Sequence, residues 1–187
     1  MKNKLIVLCG PSCSGKTTIS KALKNKYPDL LEEVISYTTR SKRDNESNAI
    51  DYFFVSKDNF ENKIREDYFI EYQEVHGNYY GTPKEDIYRI LKEKNAICVL
   101  DVNGALNAKK IFGDDCCTIF IKVKMDFIEK KLRERNISEN EIELRLKNAL
   151  TEMSYVDKMD KCFWNKENEF GLTIYFLEVV LLFGGIL

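Results

Sequence analysis

Apolar positions in this chain fall into short unbroken runs separated by segments with helical spacing. Lys4 to Cys9 (KLIVLC) is nearly all apolar at strand length, the pattern of a strand covered on both faces in a parallel sheet. After a glycine-containing loop, Ile19, Ala22 and Leu23 lie on one face of a helix that starts near Lys16. A second run, Ala96 to Leu100, ends at Asp101. A third, Thr118 to Val123, precedes a helix containing Phe127, Ile128 and Leu132. Strands alternating with helices predict an α/β fold, a parallel sheet flanked by helices.

Two helix starts carry capping signals. Thr82-Pro83-Lys84-Glu85 reads as a capping Thr, a Pro at the first helical position and a Glu three residues after the cap; Ser138 and Glu141 repeat the box before a helix through Leu150. Residues 36–82 break the alternation. Tyr52 to Val55, Phe69 to Val75 and Asn78 to Tyr80 read as short strands, with a helix near 57–66 and a turn at His76-Gly77-Asn78. This stretch is expected to be an inserted small lobe of mixed β structure.

Composition narrows the function classes. With 29 Lys plus Arg against 30 Asp plus Glu among 187 residues, the formal charge is −1, which argues against a general binder of nucleic acid or anionic membrane. The length suits one domain, and 44% hydrophobic with 32% charged residues is enough to bury a core. Six cysteines without a C-x-x-C pair, and a single His, point to free thiols in a reducing cytoplasm rather than to a structural metal. The first residues lack the features of a secretory signal.

The most specific signal is Gly10-Pro11-Ser12-Cys13-Ser14-Gly15-Lys16-Thr17, a full match to G-x-x-x-x-G-K-[ST] between a predicted strand and a predicted helix. Glycines let successive N–H groups converge on phosphate oxygens, and the helix N-terminus adds its positive end. Lys16 then reaches the β- and γ-phosphates and the Thr17 hydroxyl ligates Mg²⁺, with Thr18 in the same turn. A nucleoside triphosphate with magnesium is the implied ligand. The loop alone does not separate a GTPase, an ATPase and a kinase.

Further motifs do. Ser36-Tyr37-Thr38-Thr39-Arg40, then Arg43, Glu46 and Asp51-Tyr52, then Phe69-Ile70-Glu71-Tyr72 and Glu74-Val75-His76-Gly77-Asn78-Tyr79-Tyr80-Gly81-Thr82, resemble the guanylate kinase family over roughly residues 4–167. The resemblance implies transfer of the ATP γ-phosphoryl to GMP, and to dGMP, with Mg²⁺. It implies a core (1–35, 83–130 and 146–169), a GMP-binding lobe (36–82), a lid (131–145) and an atypical tail (170–187), working as a monomer or weak homodimer. Arg40 and Arg43 can grip a phosphate bidentately, with Tyr52 and Tyr80 adding phenolic donors. Guanine presents N1–H and N2–H side by side, so one carboxylate accepts both. Glu71 occupies the family position for this, with Ser36 and Thr82 as hydroxyl donors and Glu46, Gly81 and Asp101 in the same set.

Asp101 closes an apolar strand, where the acid that orients Mg²⁺ or its waters sits. The family pattern D-[IV]-D-x-x-G is shortened here to Asp101-Val102-Asn103-Gly104, with Asn103 in place of the second acid when aligned from the left. In the lid, Arg135-Asn136 and Arg145-Leu146 stand for R-G and R-L, so Arg135 and Arg145 are expected on the transferring phosphates, while Lys131 replaces a family Arg. Arg133 reads as a surface partner of nearby glutamates. His76 has no required catalytic part.

Departures remain. Cys13 stands where the family has Gly, tolerable at negative φ, and Asn45 and Ala49 replace two further glycines. The last family strand is expected at Lys161 to Asn165, with Asn165 near adenine or ribose. Residues 170–187 carry Glu178 as their only charge in 18 positions, barely a bilayer span and with no cation following. They are expected to pack on the sheet or at an oligomer contact in preference to anchoring in a membrane. The rivals to a GMP kinase are a kinase for another small phosphate monoester and a non-catalytic interaction module; the intact Lys16 and Thr17 oppose the latter.

Overall fold

The computed structural model describes residues 3–185 apart from 45, 76, 136 and 168. The readings of Asn45, His76 and Asn136 therefore lie outside the described residues. A five-stranded, fully parallel sheet has the order β2 (Leu31–Glu33), β7 (Asn95–Val99), β1 (Leu5–Cys9), β8 (Cys116–Lys122), β9 (Lys161–Trp164). Along β1 the side chains divide between two apolar layers, as strand alternation requires. Leu5, Val7 and Cys9 join α3 (Lys84–Leu91) and α4 (Val102–Phe112) through Ile87, Ile90, Ala105 and Ala108. Ile6 and Leu8 join α1 (Lys16–Lys26) through Ile19 and Leu23.

A second sheet, β4 (Phe53–Phe54), β3 (Tyr37–Thr38), β6 (Asn78–Pro83), β5 (Phe69–Val75), mixes parallel and antiparallel pairs and packs α2 (Lys57–Arg65) through the fully buried Phe60. Ser56 caps α2 by accepting from the Asn59 N–H. The helix α5 (Met125–Arg133) and α6 (Glu139–Met153) form a third apolar cluster with Val123, Ile128, Leu132 and Ala149. Ser138 caps α6 as expected, and the helix runs three residues beyond Leu150.

Three expectations change. The Thr82 box is not a cap: β6 keeps its ladder with β5 through Pro83, α3 starts at Lys84, and the Thr82 hydroxyl is turned toward Glu71. Strands β2 and β3, of three and two residues, carry too little pattern to be read. Cys13 and Ala49 both adopt positive φ, +63° and +62°, so the family glycines are replaced while the left-handed backbone they suit is kept.

The tail is helix α7 (Phe170–Phe183), packed on the sheet face that carries α1. Leu177 and Leu181 are fully buried there. Its lone acid, Glu178, pairs with Lys26 at 2.7 Å. Among the described residues no helix is long and apolar enough to cross a membrane.

Candidate active site

The glycine loop joins β1 to α1. Gly10 has φ +126°, and a Cβ there would sit 2.6 Å from the Ile121 carbonyl oxygen, so the loop leaves the sheet only without a side chain. At Gly15, φ +89°, a Cβ would meet Asn165 Nδ2 at the same distance. Asn165 instead donates to the Ser14 carbonyl at 3.0 Å and accepts from Thr173 of α7 at 3.1 Å, which ties the loop to β9 and the tail helix. Lys16 Nζ folds back onto the carbonyls of Gly10 (2.6 Å) and Pro11 (2.8 Å) and reaches Ser14 Oγ at 3.4 Å. Burial holds its ammonium below the usual lysine range.

Three cavities meet at this loop. The first, about 770 Å³, is lined by residues 12–18, Arg135 and Asn165, with Lys131 and Phe127 on α5. Lys131 is paired with Glu134 at 2.7 Å. Arg133 lies outside these three cavities and binds Glu129 and Glu139, in keeping with its surface reading.

The second cavity, about 470 Å³, is lined by Thr17, Arg40, Arg43, Glu46, Tyr52 and Tyr80, together with Lys21, Glu33, Ser36 and Asp51. Arg40 donates two near-parallel bonds to Glu46 at 2.9 and 2.8 Å and lies 5.6 Å from the centre of the Tyr52 ring. The Arg43 backbone N–H adds a bond to Glu46. These bonds hold the Glu46 carboxyl below its ordinary range. Glu46 thus serves Arg40. Lys21 pairs with Asp51 at 2.7 Å across the same cavity.

In the third cavity, about 380 Å³, Glu71 faces Ser36, Gly81, Thr82 and Asp101, with Lys16, Arg145 and Glu152 completing the wall. Thr82 donates to Glu71 Oε1 at 2.9 Å, and Ser36 Oγ lies 3.2 Å from Thr82 Oγ1. With the Thr82 proton committed to Glu71, Ser36 is the donor of that second bond. Burial pushes the Glu71 carboxyl up to about 7, against the pull of Thr82 and with the help of Asp101. Gly104 makes room for it: a Cβ there would lie 2.9 Å from Glu71 Cγ.

Asp101 Oδ1 accepts from the Gly104 N–H at 2.6 Å and caps α4. It lines the cavity of Lys16 and Glu71, whereas Thr17 lines the other two. Asn103 is exposed on α4 and lines none of the three. Arg145 is held by Glu141 through Nε and Nη2, at 3.0 and 2.6 Å. The expected lid arginines therefore serve different walls, Arg135 the first cavity and Arg145 the third.

Sequence reasoning missed Glu33, Lys21 and Glu152. Glu33 brings a carboxylate to the cavity lined by Thr17, and Ser20 donates to it at 2.8 Å. A hydroxyl at the start of α1 and a carboxylate in one cavity are the hard oxygen donors that suit Mg²⁺.

A parallel sheet with a Gly-Lys-Thr loop at the head of its first helix, opening on adjoining polar cavities, defines a P-loop nucleotide-binding protein. The family model described as guanylate kinase matches residues 2–174. A guanylate kinase from Fusobacterium nucleatum is 40% identical over 167 residues, 88% of this chain and 89% of that one. One from Clostridium perfringens is 38% identical over 180 residues, 95% and 82% of the two chains. The crystal structure of guanylate kinase from Anaplasma phagocytophilum superposes with a TM-score of 0.75 at 24% identity, over 98% of this chain and 86% of that one, a likeness of fold. The chain belongs to the guanylate kinase family.

Proposed function

We propose that this chain transfers the γ-phosphoryl group of ATP to GMP, giving ADP and GDP, and accepts dGMP in the same pocket. The observation that carries this reading is the position of the glycine loop. Thr17 borders the first and second cavities and Lys16 the first and third, so one element touches both a donor and an acceptor site.

In the first cavity the loop amides from Ser12 to Thr18 take the ATP phosphates, with Asn165 on the nucleoside side. Arg40, Arg43, Tyr52 and Tyr80 hold the GMP phosphate, and Arg40 exchanges its Glu46 partner for that phosphate. Ionised Glu71 accepts guanine N1–H and N2–H, while Ser36 and Thr82 address O6 and N7. Adenine would set an acceptor nitrogen against the same carboxylate, and a polar pocket left unpaired rejects the wrong base by factors on the order of 10⁴. A GMP phosphate oxygen, already anionic, attacks the γ-phosphorus as the bond to the β-bridging oxygen breaks. Lys16, Arg135 and Arg145 neutralise the charge that spreads over the migrating group. Thr17 would hold Mg²⁺, with Glu33 or Asp101 reaching its waters, and the ion would supply further charge neutralisation.

Residues 36–82 act as the acceptor lobe and 131–145 as a closing segment that excludes water. The free thiols suit a reducing cytoplasm. A kinase for another phosphate monoester, or an interaction module, leaves the Ser36–Thr82–Glu71 chain without a purpose. Initial rates with ATP-Mg²⁺ against GMP, dGMP, AMP, UMP and CMP test the proposal. Turnover restricted to the two guanine nucleotides is expected. Equal rates for AMP and GMP contradict it.

A further inference from the structure

Helix α6, which carries Arg145, also brings Glu152 to the cavity of Lys16, Glu71 and Asp101. Glu152 Oε2 is shut off from solvent and has no hydrogen-bond partner among the described residues. Buried polar atoms almost always have one, so the vacancy calls for a partner that arrives later. The other acids of this cavity are engaged, Asp101 with the Gly104 N–H and Glu71 with Thr82. Cys9, whose thiol burial pushes up to about 12, stays neutral beside Lys16. Among the described residues the hydrogen bonds of Lys16 go to neutral oxygens, those of Gly10, Pro11 and Ser14.

An ammonium has three N–H donors. When a triphosphate draws Lys16 off the loop carbonyls, the β- and γ-phosphates use two of them, and the third is left facing the protein. We infer that Glu152 is a positioning residue for the proposed phosphoryl transfer, taking the third N–H of Lys16 and fixing the ammonium over the migrating group. Arg145 and Glu152 are two turns apart on one face of α6, so the motion that delivers Arg145 also delivers Glu152. The inference rests on the phosphotransferase reading. Its value is geometric, because a carboxylate near phosphates otherwise repels them.

That conflict sets the test, run on the full chain by kinetics with ATP-Mg²⁺ and GMP, calorimetric titration of ADP, and thermal melting. Glu152→Gln keeps the shape and removes the charge. It is expected to lower kcat about 30-fold while the KM values for ATP and GMP rise no more than about threefold, with no loss of melting temperature. Glu152→Asp is expected to recover most of kcat. ADP binding is expected to weaken about threefold in Glu152→Gln and to stay unchanged when the same substitution is made on Lys16→Ala, because the effect runs through the lysine. A Glu152→Gln enzyme with kcat within about twofold of the parent overturns the inference. So does ADP affinity that shifts equally with and without Lys16, or that tightens in Glu152→Gln alone. If the parent chain does not phosphorylate GMP, the functional reading fails by itself, and the ADP cycle still decides whether Glu152 acts through Lys16.

Discussion

Around Arg40 the charges of Arg40, Lys21, Glu46 and Asp51 are already paired, whereas around Glu71 two carboxyls are buried without an ion pair among the described residues. In the proposed phosphate-side cavity Glu46 holds Arg40 and Asp51 holds Lys21, so an arriving phosphate would exchange one anion for another. In the base-side cavity Glu71 and Glu152 are both pushed up to about 7 by burial, at Glu152 against the pull of Lys16, and in each case with a contribution from Asp101. Under the proposed function the phosphate grip is preformed, and the base reader completes its working charge when guanine offers two donors. Stability and function run together in the phosphate-side cavity and oppose one another in the base-side cavity.

Removing the group that borders both sites has the largest expected effect. Lys16→Ala should lower turnover by about 10³-fold or more while GMP binding remains measurable by calorimetry. Next comes the paired contrast. Arg40→Ala strips Glu46 of its partner, so GMP affinity should fall about 100-fold and stability should fall by about 1–2 kcal/mol, read in a denaturant melt. Glu71→Gln should also weaken GMP binding about 100-fold with ATP binding unchanged, yet stabilise the empty protein at pH 8 by about 2 kcal/mol.

The sign for Glu71 follows from its protons. Between the ordinary 4.5 and about 7 the folded chain binds more protons than the unfolded one, so stability falls as pH rises across that window. At pH 4 both states hold the proton, and the stabilisation by Glu71→Gln should vanish. An Arg40→Ala protein as stable as its parent, or a Glu71→Gln protein with no gain at pH 8, would erase the contrast.

On the donor side, deleting residues 170–187 removes Leu177 and Leu181, each worth about 2 kcal/mol of burial, and the Thr173 bond that orients Asn165. A loss of about 4 kcal/mol or more in denaturant titration is expected. The smallest effects concern the left-handed residues, one per region. Cys13→Gly and Ala49→Gly should each stabilise by about 1 kcal/mol, since glycine occupies positive φ without the Cβ clash.

The chain's pattern discloses some of this and hides the rest for physical reasons. The glycine loop is legible because eight contiguous residues carry its chemistry, and β1, β7 and β8 because buried parallel strands are unbroken apolar runs. Thr82 misleads because a Ser or Thr ahead of Pro reads as a cap whichever way its hydroxyl turns; here the β5–β6 ladder aims it at Glu71. The apolar tail is visible as an oddity. Its seat is not, because Glu178 finds Lys26 from 152 residues away. Glu33 and Glu152 are invisible for the same reason: each is an ordinary glutamate until tertiary packing sets it beside the loop.

The central claim is that Glu71 ionises to read guanine, and proton counting tests it most directly. GMP is titrated calorimetrically at pH 7 in two buffers of different ionisation enthalpy, into the parent protein and into Glu71→Gln. The account predicts that the parent releases roughly half a proton more than the variant, because a carboxyl near 7 is about half protonated at that pH. Identical proton release from the two proteins would contradict it.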